Sequence, residues 1–266
     1  MAMANTVYVL RYAERTAQRQ DHFYGAIDRP ADSMPISYFV WLIVGPHGPV
    51  LVDTGFSEST ARRLGGRAYV TSPRDAVRAA GVDPDSLGTV VLSHLHYDHA
   101  GCTAGFPAAS FVLQDREMAF WTGRHARQAA SGLGMPHLVL PEDVLAVSAA
   151  NFAGRVHWID GDAEIAPGIS VHHVGGHTPG MQVVRVSTAI GQVVLASDAS
   201  HFYENLDRDR PFAVVDSVPG ALRAFARVHS LASDPSLIVP GHDPAVLDRF
   251  PPAGFASLGG HAVVIG

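Results

Sequence analysis

The run Ser93-His94-Leu95-His96-Tyr97-Asp98-His99-Ala100-Gly101 constrains this chain more than any other feature. Its four potential metal ligands, His94, His96, Asp98 and His99, follow directly on the apolar run Thr89-Val90-Val91-Leu92. Extended backbone sends alternate side chains to one side, so His94 and His96 can reach a common point. A turn toward Gly101 then brings Asp98 and His99 to a second point close by. Ligands at the end of a strand stand on rigid scaffold and leave coordination positions open.

A catalytic metal needs three or four protein donors, so more must lie downstream. Three candidates stand just beyond apolar strand-like runs: His177 in Gly175-Gly176-His177-Thr178-Pro179-Gly180, Asp198 in Ala196-Ser197-Asp198-Ala199, and His242 in Pro240-Gly241-His242-Asp243. Glycine beside His177 and His242 lets backbone pack close to a crowded site. Together they make five histidines and two aspartates, enough for two adjacent metals with Asp198 as a bridge. Composition agrees: the chain has 15 histidines but a single cysteine, Cys102, which excludes a disulfide framework and a thiolate-rich metal site. Cys102 reads as packing. Imidazole and carboxylate suit zinc, and also iron, manganese or cobalt.

Short β-branched runs closed by turn residues recur along the chain. The clearest are Val7–Tyr12, Ile36–Val44, Val50–Asp53, Thr89–Ser93, Phe111–Leu113, Val156–Ile159, Ile169–Val174, Gln182–Val186, Gln192–Ala196 and Leu237–Val239. Several follow one another with only turns between, which implies hairpins beside parallel pairing. Helices are expected over Pro73–Ala80, Asp115–Thr122, Pro141–Phe152 and Ser217–Ala232, the last with Leu222, Phe225, Val228 and Leu231 on one stripe. Residues 123–140 are the least regular and suit a lid or insertion. The expectation is a single α+β domain over residues 1–266, two mixed sheets face to face with helices outside.

A net charge of −6 argues against a nucleic-acid footprint. The longest apolar run, residues 38–44, is far short of a membrane span of about 20 residues, and no secretory signal is visible at the N-terminus. A cytoplasmic protein without membrane or nucleic-acid partners is expected. No interface is marked, so a homodimer rests only on the resemblance that follows.

The H-x-H-x-D-H motif, Asp53-Thr54-Gly55 before it, and the later His177, Asp198 and His242 resemble, in order, the metallo-β-lactamase superfamily across about residues 36–245. The nearest branch is the N-acyl-homoserine lactone lactonases, by Ser93-His94-Leu95-His96 with Asp98-His99-Ala100-Gly101, Gly176-His177-Thr178-Pro179-Gly180 and Ser197-Asp198-Ala199. The resemblance implies an αββα sandwich with its site at one edge. It implies two divalent ions, zinc first: one on His94, His96 and His177, the other on Asp98, His99 and His242, with Asp198 shared and Asp53 orienting a ligand or the turn.

The activity implied is hydrolysis of an N-acyl-homoserine lactone or related lactone, and so quorum quenching, by attack of a metal-bridging hydroxide. Asp98 would pass the proton to the leaving oxygen. Lactonases of this branch typically carry a tyrosine three residues after the bridging aspartate, and here that position is His201. His201 can donate an N–H to the substrate oxyanion, or Tyr203 can reach in instead. Phe23, Tyr24, Met34, Phe39 and Phe56 are candidates for the pocket mouth, and Trp121 is similar. The alternatives are an esterase or thioesterase of the same fold and, more distantly, a mononuclear iron persulfide dioxygenase using His94, His177 and Asp198. The sequence shows no basic cluster for a glutathione carboxylate, and the negative charge disfavours a phosphodiesterase.

Overall fold

The computed structural model describes residues 4–124 and 138–266. The first sheet has the order β13-β1-β2-β3-β5-β6-β7, with β4 also on β1. Its strands are β1 (Thr6–Arg15), β2 (Ile36–Val44), β3 (Val50–Val52), β4 (Arg67–Tyr69), β5 (Thr89–Val91), β6 (Ser110–Gln114), β7 (Val156–Ile159) and β13 (Ala262–Ile265). Pairing is antiparallel from β13 to β3 and parallel from β3 to β7. The second sheet, β12-β11-β10-β9-β8, comprises β8 (Ala163–Ala166), β9 (Ile169–His173), β10 (Gln182–Thr188), β11 (Gly191–Ser197) and β12 (Ile238–Pro240). It is antiparallel except for the parallel pair β11–β12.

Alternation along the strands explains the layers. Val7, Val9, Phe39, Trp41, Ile43, Val52 and Val91 of the first sheet pack on Val171, Val184, Val186, Val193, Leu195 and Val239 of the second. The intervening residues Leu10, Tyr12, Tyr38, Val40, Leu42 and Val90 face outward and are covered by helices. Among these are α1 (Glu58–Leu64), α2 (Pro73–Ala79) and, beyond the short α3 (Tyr97–Ala100) and α4 (Asp115–Thr122), α5 (Pro141–Phe152). Strand β2 is therefore buried on both faces, which is why it reads as one continuous apolar run. On the outer face of the second sheet, Val183, Val194 and Ile238 meet α7 (Val218–Leu231), which follows the short α6 (Tyr203–Asp207); α8 (Val246–Arg249) comes last.

The expected αββα sandwich is present. One side-chain expectation needs correcting: Leu222 of α7 is 40% exposed, and Ala221 and Ala224 join Phe225, Val228 and Leu231 on the buried face. Small residues on that stripe let the helix sit close to the sheet, and they carry no hydrophobic signal of their own. Of the irregular stretch 123–140, residues 125–137 lie outside the described residues. Among the described residues, no helix is long and apolar enough to cross a membrane.

Candidate metal centre

The donors come from both sheets, each from a segment just past a strand end. His94, His96, Asp98 and His99 follow β5, His177 follows β9, Asp198 follows β11 and His242 follows β12. The structure brings all seven to one edge, and none is more than 9% exposed. Three overlapping groups have ligand atoms within 4.8 Å of one another: His94, His96, His177 and Asp198; Asp98, His99 and His242; and Asp198, His201 and His242.

Asp198 sits between the halves. Its Oδ2 lies 3.2 Å from His177 Nε2, 3.1 Å from His201 Nε2 and 3.9 Å from His94 Nε2. Its Oδ1 lies 3.1 Å from both His99 Nε2 and His242 Nε2. Close backbone approach makes this possible. A Cβ on Gly241 would stand 2.7 Å from the Ser197 carbonyl and 2.8 Å from Asp198 Oδ1.

Hydrogen bonds on the far side of four of the rings decide which nitrogen faces inward, while His96 turns its Nδ1 inward, 3.0 Å from His177 Nε2. His177 Nδ1–H donates to the Val214 carbonyl (2.7 Å) and His242 Nδ1–H to the Ser37 carbonyl (2.8 Å). His99 Nδ1–H donates to Asp53 Oδ2 at 2.7 Å. The Ser93 hydroxyl gives its proton to Asp53 Oδ2, so at 3.0 Å it accepts from His94 Nδ1–H. With Nδ1 protonated, each of these rings in its neutral form turns an Nε2 lone pair toward the cluster. This is the usual outer arrangement behind metal-bound imidazole.

A cation is what these residues fit. His94 Nε2, His99 Nε2, His201 Nε2 and Asp198 Oδ1 are buried and have no hydrogen-bond partner among the described residues. The Nε2 lone pairs of neutral His99 and His242 rings face the Asp198 Oδ1 lone pairs at 3.1 Å and repel unless a positive charge lies between them. Burial, reinforced by the neighbouring histidines, holds His94 and His96 well below the usual imidazole pKa. Those two rings are neutral, the form that ligates metal. Burial also lowers His99, but the carboxylates of Asp198, Asp53 and Asp98 outweigh it and leave the pKa well above the usual value. Charge at this spot is thus strongly favoured.

Asp53 anchors the floor. It accepts from Ser93 N at 2.7 Å, and Ser197 Oγ donates to its Oδ2 at 3.2 Å. Glu117 does similar work on the other side. It accepts from Leu95 N, Trp121 Nε1, Thr178 Oγ1 and Gly180 N, tying the His94–His96 segment to the His177 loop through α4. The sequence reading did not single it out, and a lone acid one turn into a helix carries no signal of such a role.

The centre opens into a cleft of about 100 Å³. Ile36, Tyr38, Tyr97, Leu138, Phe212 and Val214 give it apolar walls, and His201, stacked on Phe212 at 3.4 Å between ring centroids, lines it as well. The expected mouth residues do not. Phe39 lies between the sheets and Phe56 in the core outside them, Tyr24 is 57% exposed, and Phe23 and Met34 pack at the edge of that outer core. Apolar character alone could not separate wall from core. Trp121 touches the site through the His96 ring, 5.9 Å away edge-on. Tyr203 belongs to the inter-sheet core, so His201 is the one of the pair that reaches the cleft. Cys102 is outside every donor group, and burial pushes its thiol up to about 12.

Residues 35–242 match the Metallo-beta-lactamase superfamily. This chain belongs to that superfamily. The N-acyl homoserine lactonase AiiB of Agrobacterium fabrum is 32% identical over 234 residues, covering 79% of this chain and 80% of its own. An N-acyl homoserine lactonase of a Bacillus species is 28% identical over 229 residues, covering 80% of this chain and 84% of its own. A solved quorum-quenching N-acyl homoserine lactone lactonase superposes with a TM-score of 0.72 at 25% identity, over 92% of this chain and 95% of that one. A dizinc lactonase, AidC, shares the fold at a TM-score of 0.73 and 17% identity, over 92% of this chain and 89% of that one.

Proposed function

We propose that the chain is a metal-dependent hydrolase that opens lactones, with N-acyl-homoserine lactones or related rings as substrates. The observation that carries this reading is the Asp198 carboxylate, one oxygen facing His94, His177 and His201 and the other facing His99 and His242. The resemblance to the AiiB lactonase supports the substrate class. His94, His96 and His177 would hold one divalent ion, Asp98, His99 and His242 a second, and Asp198 both. Zinc suits this donor set. Such ions, when bound, polarise a carbonyl and lower the pKa of water to about 7. The reading takes the chain as a single domain, since both sheets supply donors to the one cluster.

The protein's own groups then divide the work. The walls of Ile36, Tyr38, Leu138 and Phe212 exclude water and hold the acyl part. His201 is neutral, because burial lowers its pKa to about 3, and its Nε2–H donates to the substrate carbonyl oxygen as charge develops there. Asp98 lines the same cleft and passes a proton to the ring oxygen as it leaves. Tyr12 steadies that segment by donating its hydroxyl to the Asp98 carbonyl at 2.8 Å.

The test is elemental analysis of the purified protein together with a screen of homoserine lactones, γ- and δ-lactones, aryl esters, glutathione thioesters and phosphodiesters. Two zinc equivalents with lactone opening are expected. One iron with oxygen uptake, or turnover of phosphodiesters alone, would overturn the reading.

A further inference from the structure

The fold assembles a cationic pair that the sequence keeps 52 positions apart. Arg15 ends β1, Arg67 begins β4, and antiparallel pairing sets the two directly opposite each other. Both line the donor cleft. Both also line an adjoining open cleft that contains Arg63 but none of the metal donors. The two arginines therefore stand where the donor cleft meets a second, open cleft that holds none of the candidate donors. Sequence order does not show this pair, because the two arginines meet only through strand pairing.

Like charges directly opposite on paired strands destabilise a sheet, and no ion pair among the described residues offsets this one. Other arginines nearby are matched with acids: Arg63 with Glu142, Arg62 with Glu58 and Arg74 with Asp85. Arg67 spends its protons on the Tyr97 hydroxyl and the Gly65 carbonyl, both uncharged. Arg15 Nε is buried without a hydrogen-bond partner, and neither arginine has an ion pair among the described residues. Residues 1–3 and 125–137 contain no aspartate or glutamate to supply one. The carboxylate that shares their cleft is Asp98, which the proposed function gives to a metal. A forked pair of guanidinium groups is suited to a carboxylate or a phosphate.

We propose that the substrate carries an anionic group at the end remote from its scissile carbonyl, seated between Arg15 and Arg67. This deepens the lactone-opening reading and rests on it. The apolar stretch between the two ends lies along Ile36, Tyr38 and Leu138. A neutral acyl chain leaves both arginines unmatched, so discrimination against it is built into the cleft.

The test compares three homoserine lactones: N-hexanoyl, N-adipoyl, which ends in a carboxylate, and N-(6-phosphonooxyhexanoyl), which ends in a phosphate. It also measures binding of their ring-opened forms by calorimetry, which needs no turnover. At least one anionic member should exceed the neutral one tenfold or more in kcat/KM, through KM, and its opened form should bind tenfold tighter. Which anionic arm leads assigns the group. Arg15→Gln and Arg67→Gln, each checked for folding by circular dichroism, should abolish the preference, cutting the ratio of anionic to neutral kcat/KM tenfold or more. The melting temperature of Arg15→Gln should be unchanged or higher, because a like-charge contact is relieved. Equal turnover and binding of all three compounds would overturn the inference and leave the lactonase reading intact. Arginine-dependent binding without turnover would uphold the inference and overturn the lactonase reading.

Discussion

At Asp53 the backbone sits at φ +63°, and at Ser197 at φ +43°, conformations that cost non-glycine residues about 1–3 kcal/mol each. The two side chains are hydrogen-bonded to one another beneath His99. Strain held at this point keeps the His99 ring oriented from behind. Asp53→Asn keeps the size and tolerates the left-handed backbone, but it removes the charge that receives His99 Nδ1–H. Competition against a chelator should show metal affinity lowered roughly 10- to 100-fold. His201 gives a contrasting outcome. His201→Ala should lower kcat about 10²-fold by removing a donor to the developing oxyanion, with both metal equivalents retained. Loss of one equivalent would instead make His201 a ligand, since its Nε2 already lies 3.1 Å from Asp198 Oδ2. The seven donors were legible because each interrupts an apolar run with a side chain of known chemistry. Their partners were not: the carbonyls of Ser37 and Val214 are backbone groups with no sequence signature, and Arg15 and Arg67 become neighbours only through strand pairing.

Among the elements, α4 and α5 end where the sequence places them, because Asp115 and Pro141 open helices and Gly123 and Gly154 stand at or just past their ends. Strands β4, β8 and β13 escaped sequence reading. β4 and β8 are short with no fully buried residue, so neither shows a period of two, and β13 is only four residues of unbroken apolar character. Helix α5 also carries a titration prediction. Asp143, in its first turn, is 8% exposed, and its Oδ2 has no partner among the described residues. Burial, reinforced by Glu142, raises its carboxyl pKa to about 7 from an ordinary value near 3.8. Between those values the folded protein holds a proton that the unfolded chain has lost, so stability falls as pH rises from about 4 to about 7. Asp143→Asn should therefore leave the melting temperature unchanged near pH 4 and raise it at pH 8. Thermal scans at the two pH values check this, and an equal shift at both would assign the effect to packing.

For the molecule as a whole, the donor set spans both layers of the sandwich. One sheet supplies His94, His96, Asp98 and His99, the other His177, Asp198 and His242, and the rest of the contact between them is the apolar inter-sheet core with buried polar links such as Gln114–Gln182 and Ser197–Asp53. Sequence could anticipate both sheets from strand composition and place the candidate donors at strand ends, but it could not show that the donor cluster and the core join the same two layers. If ions bridge the sheets, they bind the folded chain alone, because the unfolded chain never gathers donors this far apart. Ligand that binds only the folded state at 1,000 times its Kd adds about 4 kcal/mol of stability. In a chain of this size each kcal/mol moves the melting temperature by roughly 2–4 °C. Chelation should thus lower it by roughly 8–16 °C, and added zinc should restore it. His242→Ala and His94→Ala each remove a donor from a different sheet, so both should shrink the chelator-dependent shift. If either variant keeps the full shift, that donor does not take part in the clamp.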